Sequence, residues 1–284
     1  MKNSLFILYL WVMTFNVFAQ SRIEVEFNDQ WQFKKGPFAS ENYISIASSQ
    51  DEEWDNVTIP HTWNADDMQE KKNDFYAGDG LYRKKFTPSE ESKDKRTYLR
   101  FEGVGAVAQM YVNGKFAGRH LGGYSAFCFE ITSLLKYGEE NEIVLRANNA
   151  SRDDIIPTNH NLFGVYGGIY RPVWLIVTDS INISPLDHAS SGVYVSQKSV
   201  TSKSAQIEVK VALDNGGLKP IDVELENIIY DMEGKKVLSN RSPINLSSQG
   251  LQLNVTDFNI KKPHLWNGRK DPYLYSLNST CKCN

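Results

Sequence analysis

The segment Asn161-Leu162-Phe163-Gly164-Val165-Tyr166-Gly167-Gly168-Ile169-Tyr170-Arg171-Pro172-Val173 sets aromatic rings and glycines side by side just ahead of an apolar strand. Those residue types suit recognition of a sugar. Flat aromatic faces stack on the C–H face of a pyranose, glycines let the backbone approach a ligand closely, and the Asn161 amide offers both donors and an acceptor to hydroxyls. The same composition suits a tight turn before a core strand, with Tyr166 and Tyr170 as packing residues. Two carboxylate placements raise the question of acid/base chemistry. Asp153 and Asp154 are loop neighbours whose side chains point apart, and nothing around them supplies the desolvation that would split their pKa values. Glu142 opens the strand Ile143-Val144-Leu145 after the turn Gly138-Glu139-Glu140 and reads as a solvated strand end. Among the 5 histidines, His61 and His120 have no Cys or second His at metal-ligand spacing and read as hydrogen-bonded structural residues. No cofactor and no metal is implied; the spacing of Asp and Glu does not demand a structural calcium ion.

The elements that must carry these residues follow an N-terminal leader. Met1 to Ala19 contains Lys2, then a nearly uncharged apolar run from Leu5 to Phe18, then a small residue before Gln20, which is the pattern of an export signal. The run is too short and too interrupted for a membrane span, and no second apolar stretch of about 20 residues follows. The expectation is an exported, periplasmic or secreted chain. A net charge of −3 with both signs scattered gives no basic stripe, which argues against nucleic acid as a partner. Cys128, Cys281 and Cys283 are too few for a disulfide framework, so stability must come from hydrophobic cores.

Roughly 265 residues remain after the leader, enough for two β domains of ordinary size. Apolar residues recur with period two and long helical stripes are absent. Leu99 and Phe101, Met110 and Val112, Ile143 to Ala147, and Val173 to Val177 alternate with polar neighbours. Asn113-Gly114 supplies the positive-φ pair of a type I′ hairpin turn. The one helical turn expected lies around Thr132 to Lys136. After about Ser180 a second set begins, with Val193 to Val195, Ile207 to Leu213, Val223 and Leu225, Leu251 to Val255 and Leu274 to Leu277, about seven short strands. The expected architecture is all-β: a jelly-roll sandwich over 20–180 carrying loops, then an immunoglobulin-like sandwich over 181–284.

Six motifs occur in order: Trp54-x-x-Val57-x-Ile59-Pro60-His61-Thr62-Trp63-Asn64, Gly80-Leu81-Tyr82-Arg83-Lys84, Phe101-Glu102-Gly103-Val104, Tyr111-Val112-Asn113-Gly114-Lys115, Gly118-Arg119-His120-Leu121-Gly122-Gly123-Tyr124 and Gly167-Gly168-Ile169-Tyr170-Arg171. Together they resemble the N-terminal sugar-binding domain of glycoside hydrolase family 2, the family of β-galactosidases, β-glucuronidases and β-mannosidases. The chain looks most like the β-galactosidase group. Pro263-His264-Leu265-Trp266 and Asp271-Pro272-Tyr273-Leu274-Tyr275 resemble the close of that family's immunoglobulin-like domain.

The resemblance implies a retaining hydrolase of terminal β-linked sugars whose two catalytic glutamates sit on a third domain, a TIM barrel of about 250 residues. No catalytic residue is therefore expected here, and the chain alone is expected to be inactive. The dipeptide Asn141-Glu142 matches the family's acid/base pair only superficially. The resemblance places a sugar-contacting loop of the first domain at Asn161, where relatives carry an aspartate near that offset, and a second approaching loop at Asn73 and Asp74. The implied partners are a β-linked glycan and the missing barrel domain. Trp54, Trp63, Tyr82 and Trp174 are expected in packing roles. The tail from Asn278 to Asn284 departs from the strand the family would place there and suggests a truncated reading. The alternative is a stand-alone glycan-binding module or adhesin.

Overall fold

The computed structural model describes residues 22–38, 42–49, 53–67, 75–157 and 164–283. The chain is all-β, a jelly-roll sandwich followed by an immunoglobulin-like one. The first sandwich packs a six-stranded sheet on a four-stranded one. The large sheet runs β3 (Asp55–Val57), β2 (Trp31–Lys35), β4 (Asp79–Phe86), β9 (Asn141–Asn148), β6 (Val107–Val112), β7 (Lys115–Leu121). The smaller sheet runs β1 (Arg22–Glu26), β10 (Val173–Thr178), β5 (Arg96–Phe101), β8 (Phe127–Glu130), and every pairing is antiparallel. Alternation decides which face goes inward: Leu99, Phe101, Met110, Val112, Ile143 and Leu145 are buried with Trp31 and Tyr82 in one core. The β6–β7 hairpin turns on Asn113 and Gly114 with φ of 50° and 76°, as a type I′ turn requires.

One helix escapes the period-two reading. α1 (Tyr43–Ser48) is six residues long, begins on the Asn42 side chain, which accepts from the Ser45 N–H, and buries Tyr43 and Ala47. It is too short to leave a periodic signal. The expected turn near Thr132 is a 3₁₀ turn, Thr132–Leu134.

The second sandwich has seven strands. β11 (Ile181–Ile183) and β12 (Val193–Val200) share one edge of β13 (Ser204–Asn215), whose other edge pairs with β16 (Gly250–Lys261). The facing sheet is β15 (Lys236–Leu246), β14 (Ile221–Tyr230), β17 (Ser276–Cys283). Its core is Val209, Val211, Leu213, Val223, Leu225 and Phe258 among others. The tail corrects its sequence reading: Ser276 to Cys283 pairs with β14 over eight positions, from Tyr230↔Ser276 to Val223↔Cys283. Leu277 and Cys281 pack against the core while Lys282 faces out, which is the alternation a strand needs.

Arg96 joins the sandwiches. It donates twice to Glu130, at 3.0 and 2.6 Å, and its third nitrogen lies 3.1 Å from Asp214 on β13. Tyr98 accepts a hydrogen bond from Asn182 at 3.3 Å beside it.

Candidate functional site

Asn73, Asp74 and Asn161 lie outside the described residues, as do residues 1–21. The chain immediately following each of the two loops is described, and the two stretches meet at one polar node. Asn64 and Asn149 are fully buried. Asn64 donates to Asp67 at 2.6 Å and to the Tyr76 carbonyl at 2.9 Å, and accepts from the Gly167 N–H at 2.8 Å and from Asn149 at 3.1 Å. Asn149 donates to the Val165 carbonyl at 2.8 Å and accepts from the Gly78 N–H at 2.9 Å. Asp67 also accepts from the Tyr76 N–H at 3.2 Å. Tyr76 follows Asn73 by three positions and Val165 follows Asn161 by four. The node therefore fixes the C-terminal bases of both sequence-predicted loops against each other. A buried amide must find partners for its two donors and its acceptor, so each bond made here is expensive to lose.

The glycines of the aromatic segment serve this packing. A Cβ on Gly167 would stand 1.9 Å from the Trp63 ring, and one on Gly168, whose φ is +114°, would stand 2.4 Å from the Tyr82 hydroxyl. Trp63 stacks on Phe33 at 5.7 Å and donates from its indole to the Tyr76 carbonyl at 3.3 Å. Gly105 and Gly168 form a bridge, with Gly105 N–H to Gly168 carbonyl at 3.0 Å. The tight-turn reading thus explains Gly167, Gly168 and Ile169, which are packed inside. Tyr170 donates to the Gly123 carbonyl. Tyr166, 40% exposed, remains available as an outward aromatic, as does Tyr124 at 55% on the β7–β8 connection.

His61 touches the Tyr82 hydroxyl through Nδ1 at 2.7 Å and packs on Phe33. Desolvation lowers its pKa, partly offset by Asp55. His120 stacks on Phe127 at 4.4 Å and meets Ser125 Oγ at 3.1 Å, and burial lowers its pKa too. Both are hydrogen-bonded and packed on an aromatic ring. Trp63 and Tyr82 are core residues, whereas Trp54 lies under Arg83 at 4.2 Å and Trp174 donates to Glu102 at 2.7 Å, both half-buried.

The carboxylates divide similarly. Asp154 is clamped by Arg152 through two bonds of 2.7 Å, which lowers its pKa. Glu142 departs from its sequence reading: it is half-buried, and desolvation raises its pKa despite Arg83 and Lys85. It stands at the start of β9, with Asn148 at the other end, about 20 Å away along the strand. Its neighbour Asn141 is a turn clamp, bonded to Lys136, Glu139 and Asn113. Sequence reasoning missed Asn64, Asp67 and Asn149, and also Asp79, which takes Arg146 at 2.7 Å and the Tyr43 hydroxyl at 3.1 Å. The available signals were an asparagine ending the Trp63-Asn64 motif and a second after β9.

A family model described as "Glycosyl hydrolases family 2, sugar binding domain" matches residues 14–179, and one described as "Glycosyl hydrolases family 2" matches residues 190–283. The chain is 39% identical over 272 residues to a β-glucuronidase of Bacteroides fragilis, covering 95% of this chain and 37% of that relative. It is 28% identical over 259 residues to a β-galactosidase of Bacteroides ovatus, covering 89% and 29%. Among solved structures, one from Bacteroides fragilis provisionally named a β-galactosidase superposes with a TM-score of 0.89 at 55% identity, covering 93% of this chain and 39% of that one. Bacteroides uniformis β-glucuronidase 2 gives 0.84 at 30% identity, covering 92% and 30%. The chain spans little more than a third of the curated relative of highest identity among these.

Proposed function

The chain belongs to glycosyl hydrolases family 2, and on that basis we propose that it is the non-catalytic N-terminal portion of an exported β-glycosidase cleaving O-glycosidic bonds. Residues 1–19 direct export to the periplasm or beyond, residues 20–180 form the sugar-binding sandwich, and residues 181–284 form the immunoglobulin-like spacer. Asn161, Asn73 and Asp74 hydrogen-bond the hydroxyls of a terminal β-linked sugar. The acid/base and nucleophile, which a retaining mechanism needs about 5 to 5.5 Å apart, belong to a barrel domain of the relatives' kind. This chain contributes positioning: holding a sugar in one geometry lowers the entropic part of the barrier.

The observation that supports this reading is the Asn64–Asn149 pair, which joins the bases of both loops at one buried point. The test is titration of the purified chain with an aryl β-galactoside and an aryl β-glucuronide. Weak, millimolar binding is expected, lost in Asn161→Ala and weakened in Asp74→Ala, with no aryl group released. Release of the aryl group by the chain itself, or binding indifferent to both substitutions, would overturn the proposal.

A further inference from the structure

The two sandwiches are joined by a link of two residues, Asp179 and Ser180, between the end of β10 and the start of β11. Two soft torsions per residue leave such a link free to bend, so the angle between the sandwiches must be held by the side chains around it. Two of the contacts there are weak constraints. Lys95 pairs with Asp179 at 2.7 Å in the open, where ion pairs hold little, and Arg22 reaches the Ile183 carbonyl only at 3.4 Å. Arg96 is held differently.

Arg96 stands on β5 directly opposite Thr178, the last residue of β10. Glu130 on β8 takes its Nε and Nη2 as a fork, and Glu130 is itself held by Thr132, whose hydroxyl donates to Oε1 at 2.9 Å. A guanidinium is planar, so two bonds to one carboxylate fix where its third nitrogen points. Nη1 points across the junction at Asp214, 3.1 Å away, and has no hydrogen-bond partner elsewhere. The side chains of Arg96 and Asp214 are only 12% and 10% exposed, and among the described residues Asp214 pairs with no other cation. The second sandwich is shaped to take this arm. Gly216, two residues past Asp214, packs on the Arg96 stem and on the link: a Cβ there would stand 3.1 Å from Arg96 Cδ and 3.2 Å from the Ser180 carbonyl oxygen. Its N–H donates to that same carbonyl at 3.0 Å.

We propose that Arg96 is a lock that fixes the angle between the two sandwiches and makes them one rigid body. A buried ion pair adds little net stability, because desolvation of both charges offsets their attraction. What it adds here is selectivity among arrangements. A small tilt that keeps the junction dry while parting Nη1 from Asp214 strands two charges away from water. A tilt wide enough to hydrate them breaks the bond from Asn182 to the Tyr98 hydroxyl and opens that fully buried ring to solvent. One orientation escapes both costs. A ligand on the loops of the first sandwich then keeps a fixed position relative to residues 190–283, whatever the chemistry of that ligand.

Residual dipolar couplings of the full, weakly aligned chain test this. In the unaltered chain, couplings from the strands of both sandwiches are expected to fit one alignment tensor at the observed angle. Arg96→Met keeps a stem of similar length and removes the charge; it is expected to lose that common fit, while the couplings of each sandwich still fit its own strands. Should this variant fail to fold, since it leaves Glu130 and Asp214 without their cation, Gly216→Val is read instead. There every charge stays, the added side chain pushes into the Arg96 stem, and the common fit is again expected to be lost. Lys95→Met removes the exposed pair and is expected to leave the common fit intact. Two tensors in the unaltered chain, a common fit retained by Arg96→Met or by Gly216→Val, or an equal loss in Lys95→Met would overturn the proposal.

Discussion

The first sandwich uses buried amides to hold loops that are remote in sequence; the second uses them mainly to hold strands together. Asn64 and Asn149 tie backbone from Tyr76, Gly78, Val165 and Gly167 at one end of the jelly roll. In the second sandwich Asn227 bridges the sheets, donating to Thr256 at 3.2 Å and accepting from Ser279 at 2.6 Å. Asn215 there ties its own turn at Lys219 to a second turn at Ser247, a single amide where the first sandwich sets a mutually bonded pair. Buried polar groups cost free energy unless every bond is made, so a chain that concentrates them under two loops has specified those loops. The second sandwich specifies a body and leaves its loop ends plain, which suits a spacer.

The largest break in this contrast should come from Gly167→Ala. The new Cβ would overlap the Trp63 ring, and that ring is itself pinned by Phe33 and Gly80, so the cost is about 3 kcal/mol or more in denaturant unfolding. Asn64→Ala follows, at about 2 to 3 kcal/mol, because it strands the buried Gly167 N–H, removes the acceptor of one Asn149 donor and leaves the Tyr76 carbonyl only its longer bonds from Trp63 and Asn149. It should also abolish sugar binding, whereas Asn227→Ala should destabilise and leave binding alone. Gly234→Ala in the second sandwich meets nothing within 4 Å and pays only for its φ of +77°, about 1 kcal/mol.

Acid should act through the first sandwich. Folding lowers the pKa of His61 and His120 below the 6.5 of the free side chain. The unfolded chain therefore protonates first, and stability that is complete above about pH 6.5 falls as the pH drops through the folded values. Thermal midpoints at about pH 7.5 and 5.5 should differ, and the chain carrying His61→Gln and His120→Gln should lose part of that difference. The smallest effect belongs to Leu253→Ser, which lies more than half exposed on β16 and should change stability by less than about 0.5 kcal/mol.

Much of the fold was legible because period-two alternation and turn chemistry are local. Met110 and Val112, Ile143 and Leu145, and the Asn113-Gly114 turn could be placed from neighbours alone. α1 was not, since six residues cannot display a 3.6-residue period and its support is the Asn42 cap. β17 was misread because Ser279 and Cys281 are poor markers of an inward face, and its pairing to Leu225 and Asn227 depends on a strand about 50 residues earlier. The loops proposed to meet a sugar were named from motif resemblance, and their buried support was not named at all. Asn64 and Asn149 stand 85 positions apart, and no spacing rule connects them before the chain is folded. The glycines of the aromatic segment suggested room for a ligand; Gly167 and Gly168 make room for Trp63 and Tyr82 instead.

Whether the first sandwich alone meets the sugar is tested most directly by amide chemical-shift mapping of the full chain during titration with a β-linked galactoside and a β-linked glucuronide. Shifts should concentrate at Tyr76 to Gly78 and Gly164 to Gly167, with residues 190–283 silent, and should vanish in Asn64→Ala. Shifts centred on the second sandwich, or none at saturating millimolar sugar, would contradict a sugar site on the first.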